Sequence, residues 1–320
     1  MTASNALGRI DLLAAQLEQQ AQQAQAQMPN VAPQTQFILQ HAQPQAFTIS
    51  SAALQYSLAA GYHDHGQDAV AHALAALDSD ITAATQHNPS LLDRERMGFM
   101  TQDPKFRSFL QGSDSDFLVL YELDSRQQGS LSTLSHLCGL MAKTLHTQGM
   151  WTAAAFCGLH TSASATFQGG QGLIASLTLQ LLASLPIEAF STPLAPSDVE
   201  RALRQGNESM ASSVFSMVLD HLRAGMVFLI IDGLHWHETE ARSAASMRIV
   251  RFLGRTVTHY KYRRRGLALK VLIANATPRQ RAGFDMPAGM LKDLRMERDV
   301  LSGGFQGAEG EVLSDAVGRI

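Results

Sequence analysis

Short apolar runs alternate with amphipathic segments over the second two thirds of the chain. Four runs have the length of a buried strand, and between them apolar residues recur every three or four positions, the spacing of a helix face. The pattern predicts strands at 117–121, 151–157, 226–231 and 267–274, and helices at 131–146, 172–185, 197–204, 209–223 and 240–261. Strands separated by such helices predict right-handed βαβ crossovers, and therefore an α/β fold with a parallel sheet covered by helices on both faces.

Two local signals predict helix boundaries in this region. Ser197 and Glu200 have the spacing of a capping box, so we expect a helix to open at Ser197. Gly225 follows the periodic run 209–223, and glycine commonly ends a helix. We therefore expect Gly225 to terminate that helix.

The first thirty residues carry a heptad pattern. The apolar positions of this seam are Leu7, Ile10, Ala14, Leu17, Ala21, Ala24 and Met28. Alanine buries little area, so the second half of the seam contributes less than the first. Two interpretations are open: a short coiled coil in which residues 7–28 pair with another chain, or a single helix that docks on its own domain or frays.

The composition shifts along the chain predict five regions. They are an N-terminal helix at 1–30, a Gln- and Pro-rich linker at 31–49, a helical lead-in at 50–112, the α/β domain at 113–300 and a flexible, Gly-rich tail at 301–320. Within the lead-in, helical patterns cover residues 50–85 and 90–110. We expect the second of these to pack beneath the α/β domain.

Composition narrows the class of protein. Hydrophobic residues make up 45% and charged residues 17% of the 320 residues, which supports a sizeable core. The net charge of -3 argues against a nucleic-acid binder that works by bulk electrostatics. No signal-peptide pattern and no apolar run of about 18 residues occurs, so we expect a cytoplasmic protein without a membrane partner. Cys138 and Cys157 are too few for a disulfide framework and are expected to be buried.

The loop after the first strand of the α/β domain has the position and length of a Walker A loop, G-x-x-x-x-G-K-[ST]. Gly129 is retained, but Asp124 stands in place of the first glycine, Ser130 in place of the lysine and Leu131 in place of the magnesium-binding hydroxyl. The lysine neutralises phosphate charge and the hydroxyl holds Mg²⁺, so firm binding of Mg-ATP in the usual mode is not expected.

Weak anion binding stays open at this loop. A helix N-terminus offers free N–H groups and a partial positive charge. Gly129, together with the donors Arg126, Ser130 and Ser132, would then line the site. These four residues are the candidate phosphate contacts.

Two later strands end in polar residues. The apolar run 227–231 ends at Asp232, as a Walker B strand does, and that aspartate would hold the water shell of Mg²⁺. The alternative is an aspartate that caps the following turn. Asn275 follows the strand 267–274, where it could reach the nucleotide cleft as a sensor residue does.

Together these segments resemble the nucleotide-binding domain of STAND-class P-loop ATPases, especially the NACHT-like domains abundant in fungi. The resemblance covers about residues 90–282. It rests on the aromatic lead-in 106–110, the strand 153–157, the helix string 173–182 that contains Gln180, the Asp-Gly-Leu strand end 228–234 and the strand 269–273. The family pattern has acidic residues just after Asp-Gly-Leu, where this chain has His235 and Trp236.

The resemblance implies nucleotide binding, whereas the departures argue against catalysis. One hypothesis is a non-catalytic scaffold or regulatory protein, a pseudo-NTPase that associates with a protein partner or with itself through residues 7–28. A second is a divergent ATPase that binds ATP and Mg²⁺ and uses Asp232, Glu238 and Arg126 in place of the missing groups. A third is an accessory protein of a larger pathway assembly.

Overall fold

The architecture is that of a computed structural model of the chain. The structure describes residues 47–61, 69–122, 131–161, 169–186, 188–222, 224–237, 240–263, 266–274 and 291–296. All of them belong to one compact unit that begins at Phe47. The predicted helix 1–30, the tail 301–320 and all but the last three residues of the predicted linker lie outside the described residues.

Helices and strands alternate through the described part of the chain. The helices are α1 Ser51–Ala60, α2 Ala69–Gln86, α3 Leu91–Gln102, α4 Pro104–Gln111, α5 Thr133–Thr147, α6 Gly169–Ser184, α7 Pro196–Arg204, α8 Glu208–His221 and α9 Glu240–Arg263. The strands are β1 Phe47–Ser50, β2 Asp116–Glu122, β3 Trp151–Phe156, β4 Ala189–Thr192, β5 Gly225–Asp232, β6 Leu267–Ala274 and β7 Leu291–Met296. Short 3-10 helices follow β3 at Cys157–His160 and β5 at Leu234–His237.

Five strands form one parallel sheet in the order β3-β5-β6-β2-β7. Strand β2 comes first of the five in the chain, yet it lies inside the sheet, where Asp116 is opposite Lys270 of β6 and Phe117 is opposite Leu291 of β7. Helices cover the sheet, which confirms the predicted α/β class with a parallel, helix-flanked sheet.

The two faces of the sheet carry separate hydrophobic cores because successive side chains of a strand point to opposite faces. Val119 of β2 joins the core built with α6, α8 and α9, whereas Leu118 joins the core built with α3, α4 and α5. The chain runs in one direction along the sheet from β2 to β3, and it returns through β5 to β6. Right-handed crossovers made in opposite directions put their helices on opposite faces, which explains this division.

The helices that precede β2 pack on the second of these cores. Phe106, Phe109 and Leu110 of α4 are fully buried there, and the ring of Phe109 meets that of Phe228 of β5 edge-on at 6.4 Å. The predicted helical segment 50–85 is two helices, with a turn at Gly61 after α1. No described helix has both the length and the apolar character that crossing a membrane requires.

Two predicted helix boundaries are wrong. Helix α7 begins at Pro196 and has no side-chain cap, because proline at the first helical position supplies the right φ without one. Ser197 therefore lies inside the helix. Helix α8 ends at His221, and Gly225 is instead the first residue of β5, where its φ of +114° suits glycine.

Three strands lie outside the predicted set. Strand β7 extends the parallel sheet beyond β2, and β1 pairs antiparallel with β4 in a separate two-stranded sheet. Strand β1 takes up residues 47–49 of the predicted linker, and Ser50 at its end caps α1 by accepting the N–H of Ala53 at 3.1 Å. All three additions are short or peripheral.

Candidate functional site

Asp232 is the last residue of β5, as the Walker B interpretation expects. It lies opposite Phe156 of β3 and Ala274 of β6. The chain then turns at Gly233, whose φ is +71° and whose N–H donates to the carbonyl of Ala274 at 3.2 Å. The turn thus begins directly at the carboxyl edge of the sheet, where ligands of parallel sheets bind.

Asp232 is buried in the structure. Only 1% of the residue is exposed. Burial raises the pKa of the thiols of Cys138 and Cys157, and the negative charge of Asp232 raises both further. Cys138 lies on α5 and Cys157 follows β3, so Asp232 stands near elements from both faces of the sheet. Both cysteines are free and buried, as predicted.

Helix α5 begins with a reciprocal cap made by two serines. The hydroxyl of Ser132 accepts the N–H of Ser135 at 3.0 Å, and the hydroxyl of Ser135 accepts the N–H of Ser132 at 2.8 Å. The two hydroxyls also share a hydrogen bond of 3.1 Å, and both residues are buried. Helix α5 therefore starts at Thr133, two residues later than the pattern predicts.

This cap bears directly on anion binding. A phosphate at a helix N-terminus is held by N–H groups of the first turn that have no partner within the helix. In α5 the N–H of Ser135 already has an acceptor in Ser132, so the helix satisfies part of its own N-terminus. Ser132 thus acts as the N-cap in the structure.

The other candidate residues lie outside the described part of the chain. They are Arg126, Gly129, Ser130, Glu238 and Asn275. Their proposed roles in binding phosphate, magnesium or water stay predictions. Within the described residues, Asp232 at the end of β5 lies near Cys138 of α5 and near Cys157, which follows β3.

A histidine–aspartate pair lies beside Cys157, and no sequence motif indicates it. Nε2 of His160 is 2.6 Å from Oδ2 of Asp80 on α2, and each side chain is 13% exposed. The two residues are 80 positions apart and belong to no shared motif. Only the packing of α2 against the end of β3 brings them together.

Cys157, His160 and Asp80 include the residue types of a nucleophile triad, but their surroundings exclude that chemistry. A nucleophilic cysteine needs a lowered pKa, and burial together with Asp232 raises the pKa of the Cys157 thiol instead. The cavity between Cys157 and His160 measures about 10 Å³, which is room for one water molecule at most. The contact between His160 and Asp80 therefore has a structural role: it links α2 to the end of β3.

Comparisons with known proteins give no further guide to the site. No family model, no curated protein and no solved structure matches the chain.

Proposed function

We propose that the chain is a non-catalytic scaffold or regulatory protein built on a P-loop-like domain, a pseudo-NTPase. The strand order supports this proposal at the level of the fold. Strand β6 lies between β2 and β5, so the ends of β2 and β5 stand on either side of the end of β6 at the carboxyl edge of the sheet. A nucleotide-binding ancestor would use the same two strand ends for phosphate and magnesium.

The observation that carries the proposal is the reciprocal cap of Ser132 and Ser135. In an active P-loop the first turn of the helix gives its N–H groups and a hydroxyl to the nucleotide. Here two hydroxyls and two N–H groups at this turn bind each other. Leu131, which stands just before the cap, has no hydroxyl for Mg²⁺.

The surroundings of Asp232 support the same conclusion. A Walker B aspartate contacts the magnesium ion through water, so its carboxylate must face a solvated cleft. Asp232 is 1% exposed and lies close to two buried thiols. This burial supports the proposal, which assigns the chain no nucleotide-dependent step.

Titration with Mg-ATP tests the proposal. We expect the melting temperature to stay unchanged up to millimolar Mg-ATP, and no phosphate release above the buffer blank. Firm binding would stabilise the fold by about 2.7 kcal/mol at a hundredfold excess over Kd, which corresponds to a rise of roughly 5–10 °C for a domain of this size. A saturable rise of that kind contradicts the proposal.

A divergent ATPase is the second candidate, and the position of Asp232 at the end of β5 is the observation that favours it. On this alternative Asp232, Glu238 and Arg126 replace the missing groups. Asp232→Asn keeps the shape of the side chain and removes its charge. The ATPase alternative expects this variant to lose a Mg-ATP response that the wild type has, whereas the scaffold proposal expects no response from either protein.

Self-association through residues 7–28 tests the scaffold role separately. We expect the double variant Ile10→Asp and Leu17→Asp to have a lower mass than the wild type in sedimentation equilibrium, because charges on a heptad seam oppose pairing. Gln19→Asp with Gln22→Asp adds the same charge off the seam and serves as the control. A monomeric wild type would remove self-association from the proposal.

A further inference from the structure

A cavity of about 770 Å³ lies between α2 and the outer edge of β3, away from the site at Asp232. Its walls come from α2, α5, β3 and α6. Binding sites for small organic molecules have volumes of roughly 300–1,000 Å³. The cavity is therefore large enough for such a ligand.

Helix α2 crosses the edge of the sheet and forms the roof of this cavity. Its first half contributes Ala73 and Leu77 to one core, and its second half contributes Ala84 to the other. Between these anchors, Leu74 and Ile81 face the cavity and are only half-buried. The helix thus crosses the strand edge, and the cavity lies where Leu74 and Ile81 are left half-buried.

The backbone of β3 supplies the polar floor. The carboxamide of Gln180 accepts the N–H of Ala154 at 2.9 Å and donates to its carbonyl at 2.8 Å, so Ala154 points both groups away from β5. Residues two apart on a parallel strand face the same side. Thr152, which also lines the cavity, therefore offers a second donor–acceptor pair at this edge.

Four hydroxyl groups around the cavity bond within the chain, and the walls are more apolar than polar. Those of Thr85, Thr147, Thr152 and Ser184 each donate to a backbone carbonyl of their own segment at 2.8–3.1 Å. The acid Asp78 and the base Lys143, both exposed, come from opposite walls and offset one another. The cavity accordingly favours a neutral ligand over an ion.

We propose that this cavity binds a small, mainly apolar molecule that carries a neutral amide, either a primary carboxamide or a lactam. The apolar part lies against Leu74, Leu77 and Ile81, and the amide pairs with the N–H and carbonyl of Thr152. The chain itself uses this chemistry one step along the strand, where the carboxamide of Gln180 satisfies both groups of Ala154. The site is independent of nucleotide binding and of the scaffold role.

A matched pair of probes tests the ligand class. 3-Phenylpropanamide and 3-phenylpropanoate have the same shape, but the ionised carboxylate cannot donate to the carbonyl of Thr152. We expect the amide to bind with a Kd of about 1 mM, as a ligand of this size allows, and the carboxylate to bind at least about fivefold more weakly. Ligand-observed NMR titration of the full chain measures both.

Two filling variants test the location. Ala183→Phe on α6 and Thr82→Phe on α2 add a ring from opposite walls at positions that are exposed. We expect each to weaken amide binding at least about tenfold without lowering the melting temperature. Ala52→Phe places the same ring on α1, outside the cavity, and is expected to bind like the wild type.

The outcomes separate the proposal from its rivals. Amide preference that both filling variants abolish supports it. Equal or tighter binding of the carboxylate would show that Lys143 rather than the strand edge recognises the ligand, and would overturn the amide assignment. Undiminished binding in a folded filling variant, or no binding of the amide up to about 10 mM, would overturn the site.

Discussion

The carboxamide of Gln180 takes the place of a neighbouring strand at Ala154. It accepts the N–H of Ala154 at 2.9 Å and donates to the carbonyl of the same residue at 2.8 Å. Strand β3 is at the edge of the sheet, where unpaired backbone groups invite pairing with other chains. The side chain of Gln180, on α6, therefore satisfies the backbone N–H and carbonyl of Ala154 in the middle of this edge.

Replacing Gln180 is expected to destabilise the fold. Gln180→Leu removes both hydrogen bonds to Ala154, together with a long one of 3.4 Å from Nε2 to the carbonyl of Ser176. We expect this loss to cost about 1–3 kcal/mol in the free energy of unfolding measured in urea. Gln180→Glu is expected to lose at least as much at pH 7, because a carboxylate oxygen then faces the carbonyl of Ala154.

Gln55→Leu is the matched control for this prediction. Gln55 makes one hydrogen bond to the backbone, from Nε2 to the carbonyl of Leu182 at 3.0 Å. We expect it to cost about half as much as Gln180→Leu. Equal costs for the two leucine variants would mean that the second bond at Ala154 contributes nothing.

The serine cap of α5 is expected to contribute to stability without any ligand. Ser132→Ala removes the acceptor for the N–H of Ser135, and loss of an N-cap costs about 0.5–2 kcal/mol. Ser209→Ala, at an exposed position of α8, is the control and is expected to change the free energy of unfolding by less than about 0.5 kcal/mol. If Ser132→Ala instead left stability unchanged but altered Mg-ATP binding, Ser132 would belong to a nucleotide site.

Lys270 is expected to make stability depend on alkaline pH. The side chain is 1% exposed, its Nζ lies 5.6 Å from the ring centre of Phe109, and burial lowers its pKa to about 8, an effect that Asp116 partly offsets. Between that pKa and the ordinary value of 10.5 the unfolded chain binds more protons than the folded chain. Stability therefore rises with pH across this window.

The variant Lys270→Met removes this dependence. Relative to it, we expect the wild type to gain about 2 kcal/mol between pH 8 and pH 10, measured by urea unfolding at each pH. At pH 7 the variant should be more stable than the wild type, since a buried charge is replaced by an apolar chain of similar length. Lys143→Met, at an exposed position, is the control, and parallel pH profiles for wild type and Lys270→Met would refute the prediction.

Gly170 of α6 lies against the backbone of α9. A Cβ at this position would lie 2.4 Å from the carbonyl carbon of Ala245, which is backbone and cannot move aside cheaply. We expect Gly170→Ala to cost about 3 kcal/mol by thermal or urea unfolding. Gly149→Ala has open space around it but a φ of +74°, so it should cost only about 1 kcal/mol. A smaller loss at position 170 than at 149 would contradict this packing.

The strands that could be predicted are those buried on both faces. Strands β2, β3, β5 and β6 are runs of apolar residues, and their predicted limits agree with the structure to within one residue. Strand β7 is only partly buried, and Lys292 and Asp293 interrupt its apolar residues, so it has no continuous apolar run that would predict a strand. Strands β1 and β4 have four residues each and depend on one another across the chain. Local patterns cannot indicate such pairings.

Within the candidate site, the sequence predicts the position of Asp232, because the direction of a strand in a parallel sheet determines at which edge its last residue lies. A parallel sheet requires Asp232 to stand at its carboxyl edge, and it does. The burial of its carboxylate, the pairing of Ser132 with Ser135 and the contact of His160 with Asp80 depend on how helices pack. Gln180 belongs to the family-like string 173–182, but its bonds to Ala154 follow only from the edge position of β3.

The interior position of β2 has a consequence for synthesis on the ribosome. Ser115, just before β2, accepts the N–H of Leu269 in β6 across 154 residues of intervening chain. At a translation rate of roughly 5–20 residues per second, about 8–30 s pass between the synthesis of β2 and that of β6. An apolar strand is therefore exposed on the nascent chain for most of that time, and chaperones that hold extended apolar segments would protect it.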